Sequence, residues 1–451
     1  MTQDLPDLSR AAFHFLPWRT DDAAGRVFLS YGFAGGPQFC ETIDFGAPLP
    51  STDSPLRAGF VAAVDGLHLA AGISYYKAFL PPVMVREAGA LSASRRDFFQ
   101  TLYENGLGEF AARNQIAVWD RIRFPADARC DPPAGVVGLP RRTAVLIGGG
   151  KDSLVSLETL RASAEPLTLF AVNPKKPILD CAAASGLPLI AVTRTIDAGL
   201  FALNDAGAFN GHIPITAIVS LTALAAAFVH GFDTVVLSNE RSANEGNTLF
   251  EGRMVNHQYS KSLPFEEMLS AYVTQHIAPD LHYFSLLRPL SEFHIAQLFA
   301  RVRRYDDVFT SCNRAFVLRA TTTPKRWCCD CPKCRFAFLI LATAMPPERL
   351  TAIFGQNLLA DTGAVGAFEE LTGLSGHKPW ECVGEIAESS AALLRLADTP
   401  GWCSCPIVAA LAPRLKEKMA DYKAVEAMLL TPSSEHHLPE RYEGILRAYI
   451  G

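Results

Sequence analysis

Ala144-Val-Leu-Ile-Gly-Gly-Gly-Lys-Asp-Ser153, running on into Leu154-Val-Ser-Leu-Glu-Thr-Leu160, is the stretch whose reading decides the fold. A buried strand over residues 143–147 gives way to a turn of Gly148, Gly149 and Gly150, and a helix begins near Asp152. Glycines in such a turn let backbone N–H groups approach a phosphate closely, and the helix N-terminus adds a favourable dipole. Lys151 offers a point charge, and Asp152 is placed to hold a magnesium ion against the phosphates. The Gly-x4-Gly-Lys-Ser/Thr spacing of a Walker loop is absent, as is the Gly-x-Gly-x-x-Gly of a dinucleotide site. The plainer alternative is a tight strand-to-helix turn that holds no ligand.

Downstream, β and α patterns alternate: a strand at 167–172, a helix near 178–184, a strand at 187–192, a long helix at 215–230 and a strand at 234–237. That order predicts an α/β fold with a parallel sheet covered on both faces. Ligands in such sheets sit at the carboxyl ends of the strands, which puts Asn173, residues 193–197 and Ser238-Asn-Glu-Arg-Ser-Ala-Asn-Glu-Gly-Asn247 around a nucleotide. The last of these is longer than an ordinary connection, which favours function over a merely solvated loop. Beyond it, Met254-Val-Asn-His-Gln-Tyr-Ser-Lys-Ser262 is non-periodic and carries an imidazole, a phenol and an amine. Helices are expected at 265–276 and 292–303, with Arg288 between them either facing a ligand or pairing at the surface.

Upstream, residues 1–138 read as an α+β domain, with strands at 26–33 and 60–70 and a helix over 94–114, closed by a Pro/Gly-rich linker at 130–140. Substrate recognition and a purely architectural role are both open for it. Residues 139–345 form the nucleotide domain, and 346–451 a helical region. Within the latter, Leu374-Ser-Gly-His-Lys-Pro-Trp-Glu-Cys-Val-Gly384 is either a surface that meets substrate or a capping loop.

At 451 residues, 49% hydrophobic and 19% charged, the chain is long enough for two or three packed domains. A net charge of −5 argues against a nucleic-acid partner held by bulk electrostatics. No basic segment followed by an apolar core opens the sequence, and the apolar run at 213–229 is broken by Pro214, so a buried helix is expected rather than a membrane span. Eleven cysteines in a chain this long do not form a secreted disulfide framework, and a cytoplasmic location is the expectation. Cys328, Cys331 and Cys334 are spaced Cys-x2-Cys-x2-Cys, with Cys312 upstream. That spacing lets thiolates converge on one tetrahedral zinc ion, the alternative being reduced thiols that support a substrate pocket.

The glycine loop resembles the Ser-Gly-Gly-x-Asp-Ser pyrophosphate loop (PP-loop) of the ATP-pyrophosphatase superfamily, with Gly148 in place of the first Ser. The superfamily splits ATP between its α and β phosphates and passes AMP to a carboxylate or carbonyl oxygen, so the resemblance implies a HUP-like parallel-sheet domain. The cysteine run looks like the zinc knuckle of 7-cyano-7-deazaguanine synthases, with Cys329 where that family has glycine. Taken together, the glycine loop, residues 238–247 and Arg326-Trp-Cys-Cys-Asp-Cys-Pro-Lys-Cys-Arg335 resemble the UDP-N-acetylmuramoyl-L-alanyl-L-glutamate epimerase family of bacterial cell-wall synthesis. This implies ATP- and Mg2+-dependent inversion of the terminal L-Glu of UDP-MurNAc-L-Ala-L-Glu, with release of AMP and pyrophosphate. No membrane partner is implied.

The loop resemblance, and for the other residues their position and the chemistry such a reaction needs, suggest a set of roles. Gly148, Gly149, Gly150, Lys151, Asp152 and Ser153 take pyrophosphate and magnesium, joined by Asn173 and Asn239 at the nucleotide. Lys151 also stands among the catalytic candidates. Glu240, Arg241, Asn244 and Glu245 serve nucleotide, metal or substrate carboxylates, and Arg314, Lys333, Lys378 and Trp380 are candidates for substrate. For proton transfer His257 is favoured, with Cys329 or His212 on the opposite face. The competing readings are an ammonia-using adenylating ligase like the deazaguanine synthase, and a nucleotide sensor without catalysis.

Overall fold

The computed structural model describes residues 8–128, 131–316, 326–376 and 378–451. Cys130 of the expected linker and His377 of the 374–384 stretch lie outside them. The frame is a mixed sheet of ten strands. In chain order the strands are β1 (Ala12–Phe15), β2 (Arg19–Asp21), β3 (Arg26–Phe33), β4 (Gln38–Asp44), β5 (Val83–Arg86), β6 (Thr143–Leu146), β7 (Leu167–Val172), β8 (Leu189–Thr195) and β9 (Thr234–Leu237). A separate small hairpin, β10 (Thr248–Phe250) with β11 (Arg253–Val255), precedes the last sheet strand, β12 (His282–Ser285). The order across the sheet is β12-β9-β6-β7-β8-β4-β3-β1-β5, with β2 on β3. Strands β12 to β8 run parallel, and β4 meets β8 antiparallel, so the N-terminal strands extend the same sheet.

Both faces of the parallel half are buried, as its near-continuous apolar strands require. Alternation sorts β6 and β9 between two cores: Ala144, Val235 and Leu237 face one, and Val145 and Val236 face the other. The first core is closed by helices Arg57–Ala71 and Ile215–His230, which cross so tightly that a Cβ on Gly59 would lie 2.4 Å from the Phe228 ring. The second is covered by Lys151–Ala162, Glu292–Ala300, Pro332–Ala342 and the C-terminal helices.

Residues 60–70, expected as a strand, are helical. Every side chain from Ala63 to Ala71 is buried, so no solvent face imposes a helical period on the sequence. Arg57–Tyr76 is long and apolar enough to cross a bilayer, yet 83% of its most apolar window is packed inside the protein. The helix expected over 94–114 breaks at Leu107 into Ala93–Gly106 and Gly108–Asn114. Strand β12 lies in a stretch expected to be a simple connection between helices.

Candidate active site

Strand β6 is flanked by β7 on one side and β9 on the other. The chain winds outward through β7 and β8, then returns to the far side of β6, making β6 the switch point of the sheet, where a crevice opens beyond the carboxyl ends. There lies a cleft of about 420 Å3, walled by Leu146, Val172 and Leu237 at the strand ends and by Ile215, Thr216 and Val219 from the long helix.

The glycine loop forms its floor. Gly149 takes φ of +79°, a conformation only glycine adopts freely, and its carbonyl accepts from the Thr310 N–H at 2.9 Å. A Cβ on Gly150 would sit 2.9 Å from Ser311 Oγ. Gly148, Gly150, Asp152 and Ser153 line the cleft, while Gly149 packs against Ile178. Gly150 caps the helix Lys151–Ala162 without offering it a side-chain acceptor. An N-terminus left in that condition is suited to an anion.

Lys151 does not line the cleft. Its ammonium is buried between Asp152 and Glu292, which hold it charged against the cost of burial. Burial pushes Glu292 up to about 7 even with Lys151 beside it. Asp152 is driven up by burial and more strongly down by Lys151 and Lys333, so it stays ionised. Lys333 lines the cleft, 3.8 Å from Glu292. Asn239 and Glu240, at the end of β9, line it as well, and Asn239 Nδ2 donates to Ser285 Oγ at 2.9 Å. Asp152 and Glu240 are the carboxylates on the wall among the described residues, oxygen donors that fit magnesium.

Arg288 neither faces a ligand nor lies at the surface. Fully buried, it grips the Glu266 carboxylate at 3.1 and 2.8 Å and donates to the carbonyls of Glu240 at 2.7 Å and Lys261 at 2.5 Å. It thus fixes the backbone on which two cleft side chains stand.

His257 is set behind the wall. Its Nδ1 bonds Glu109, its Nε2 lies 3.9 Å from Cys382 Sγ, and the His212 ring sits beside it, tilted by 49°, at 4.6 Å between ring centres. Burial works against a charge on His257, but Cys382 and Glu109 together raise it to about 9. His212, with Nδ1 3.3 Å from Glu109, is pushed down to about 4 by burial and by the charge of His257. Cys382 itself lines the cleft, and Lys261 Nζ approaches its sulfur at 3.2 Å. Burial favours the thiol, yet Lys261, His257 and Lys333 bring it down to about 6. Lys261 is the amine of the 254–262 stretch and Cys382 belongs to the 374–384 stretch, but the sequence assigns neither a role. The two are 121 residues apart, and no spacing signals their meeting.

Other expected site residues serve the scaffold. Asn173, with φ of +48°, exchanges two hydrogen bonds with the Arg194 backbone at 2.7 and 2.8 Å. The 238–247 stretch turns away after Glu240. The Arg241 N–H donates to Leu290 O, Asn244 Oδ1 accepts from the Leu263 N–H at 2.7 Å, and Glu245 pairs with Lys378. Arg314 pairs with Asp330 at 3.1 Å in solvent, and Trp380 lies 5.5 Å from the Arg113 guanidinium. Cys329 points its sulfur to the Phe354 carbonyl at 3.3 Å and does not line the cleft.

The four other cysteines do converge. The sulfurs of Cys312, Cys328, Cys331 and Cys334 lie within 4.8 Å of one another, with Cys328 and Cys334 at 3.7 Å. A tetrahedron with Zn–S bonds of about 2.3 Å has edges of about 3.8 Å, so the set fits zinc. The N–H groups of Cys331 and Cys334 donate to the sulfurs of Cys328 and Cys331, both at 3.4 Å. Cys329 takes φ of +60°, the left-handed turn for which the resembling knuckle carries glycine.

Comparison with known proteins agrees over nearly the whole chain. The MurL N-terminal domain model matches residues 6–286 and the MurL C-terminal domain model residues 308–426. Two proteins named UDP-N-acetyl-alpha-D-muramoyl-L-alanyl-L-glutamate epimerase, from Salinispora tropica and a Micromonospora species, are each 43% identical. The first aligns over 96% of this chain and 95% of its own, the second over 96% of both. A protein of the same name from Xanthomonas oryzae pv. oryzae is 40% identical over 95% of both chains. On these matches the chain belongs to the UDP-N-acetylmuramoyl-L-alanyl-L-glutamate epimerase family.

Proposed function

We propose that this protein inverts the terminal L-Glu of UDP-MurNAc-L-Ala-L-Glu to D-Glu, consuming ATP with magnesium and releasing AMP and pyrophosphate, as a step of peptidoglycan precursor synthesis. The names of the relatives give the substrate and the inversion. The observation that carries the ATP chemistry is the glycine loop, set at the switch point of a parallel sheet and opening into a cleft edged by Asp152 and Lys333. That placement supports a PP-loop, HUP-like reading of the parallel half, with a cytoplasmic enzyme as its natural setting.

Activation explains why an epimerase would need ATP. Removing the α-proton beside a free carboxylate places a second negative charge next to the first. An acyl-adenylate has lost that charge, so the developing enolate delocalises. The loop would hold the phosphates, and magnesium held by Asp152 and Glu240 would neutralise charge on them. Lys333, at the cleft wall, would face the phosphates or the enolate oxygen. The apolar patch of Ile215, Val219 and Val172 suits a purine. Zinc in the four-cysteine knuckle would have a structural role, since no open coordination position is left for chemistry.

The test is one incubation of protein, ATP, magnesium and UDP-MurNAc-L-Ala-L-Glu in deuterated water, followed for AMP and for the chirality and mass of the terminal Glu. AMP with deuterated D-Glu is expected. AMP without inversion would instead mark a ligase awaiting a nucleophile, and nucleotide binding without AMP would mark a sensor.

A further inference from the structure

We propose that Cys382 carries the α-proton on one face of the glutamyl centre, with His257, Glu109 and Lys261 positioning it. The inference rests on the epimerase reading above. Of the thiol and imidazole groups expected for proton transfer, none reaches the cleft: His257 and His212 do not line it, and Cys329 is bonded to the Phe354 carbonyl. Cys382 does line it, together with Asp152, Glu240, Lys261 and Lys333.

Behind the sulfur the groups form a line. Glu109 holds His257 Nδ1, which leaves Nε2 directed at Cys382 at 3.9 Å. Lys261 Nζ approaches at 3.2 Å, and its own carbonyl is anchored by the buried Arg288. Two cations against one sulfur favour the thiolate, with Lys333 adding a third at longer range. The Cys382 sulfur is the main support for the charge on Lys261, with Glu240 and Asp152 behind it, and Cys382 and Glu109 together hold His257 charged against its burial.

In the step itself, the Cys382 thiolate takes the proton from Cα of the activated glutamyl group. The C–H electron pair moves into the enolate, and the sulfur becomes a thiol. A proton from a second carrier reaches Cα on the opposite face and completes inversion. The thiol then returns its proton to solvent, so one proton leaves and one arrives per turnover. His257 and Lys261 are not consumed.

The full-length Cys382→Ala and Cys382→Ser variants, run beside wild type with ATP, magnesium and the dipeptide substrate in deuterated water, test this. Inversion should fall about 100-fold or more while AMP still forms. The recovered L-Glu should be free of deuterium, because its α-proton is no longer taken; L-Glu deuterated with retention would overturn the step. Deuterated D-Glu at the wild-type rate from either variant would overturn the proposal alone. Wild type that forms no AMP would overturn the epimerase reading and the proposal with it. Loss of AMP formation in both variants, with unchanged melting, would make Cys382 a binding residue and overturn the proposal too. Independently of mutation, wild type alkylated at Cys382 by iodoacetamide should lose inversion. Retained inversion in the alkylated protein would overturn the proposal. The Lys261→Met and His257→Asn variants should move the pH midpoint of that alkylation upward, a readout that a purely structural role leaves in place.

Discussion

Cys382 and Lys151 show how far a single side chain's surroundings decide its chemistry. For Cys382 the folded value, about 6, lies below the ordinary thiol value of 9.0. The thiolate is therefore present above about pH 6 and lost as pH falls through it. Alkylation by iodoacetamide should rise with pH around that midpoint rather than near 9, with mass spectrometry locating the label. Lys151 is the converse. Its residue type, beside three glycines, reads as a charge offered to a phosphate, but its direction is not written in the sequence. The helix starts at Lys151, and each helical residue turns the chain by about 100°. Asp152 thus faces the cleft while Lys151 faces Glu292 in the interior. Lys151→Met should therefore cost about 3–5 kcal/mol of stability in urea unfolding, because it strands a buried carboxylate. A surface phosphate ligand would lose only nucleotide affinity.

At the scale of elements, legibility follows the presence of a solvent face or a turn signal. Strands β6, β7 and β9 and the helix Ile215–His230 fall where the apolar runs and their flanking Gly and Pro place them. Residues 60–70 of the helix Arg57–Ala71 read as a strand because the helix has almost no polar face to mark its period. The 238–247 stretch was legible as unusual but not as divided, with its first residues at the cleft and the rest tied to Leu290, Leu263 and Lys378. The cysteine knuckle is the best case, since its spacing marks three of the sulfurs and the fold brings Cys312 to join them. It should bind about one zinc ion per chain by elemental analysis, and Cys334→Ser should lower both that content and Tm. Cys329→Gly tests the turn. A non-glycine residue at φ of +60° costs about 1–2 kcal/mol, and glycine in the unfolded chain returns part of that gain. The variant should keep its zinc, invert substrate like wild type, and change stability by no more than about 1 kcal/mol.

For the whole molecule the decisive seam is β4 against β8, an antiparallel pairing that joins the N-terminal strands to the parallel half. Sequence texture marks a change near residue 138 but carries no sign of this pairing, which depends on contacts made far apart along the chain. At the seam Arg194 donates to Glu41 through Nε at 2.7 Å and Nη2 at 3.0 Å, with Ser74 and Tyr75 bonded to the same pair at 3.1 and 3.2 Å. Glu41 is wholly buried and Arg194 nearly so. Such a pair adds little over a well-packed apolar replacement, but losing one partner leaves a buried charge with nothing to meet it. Glu41→Ala should accordingly destabilise the protein by about 3–5 kcal/mol in urea, with Glu41→Met/Arg194→Met costing clearly less than that single change. Because one core spans both sides of the seam, from Phe13 and Tyr31 to Leu221 and Val235, the loss should appear as a shift of one cooperative transition. Early separate melting of the N-terminal strands, with the parallel half still folded, would show instead that the sheet is continuous in geometry but not in stability.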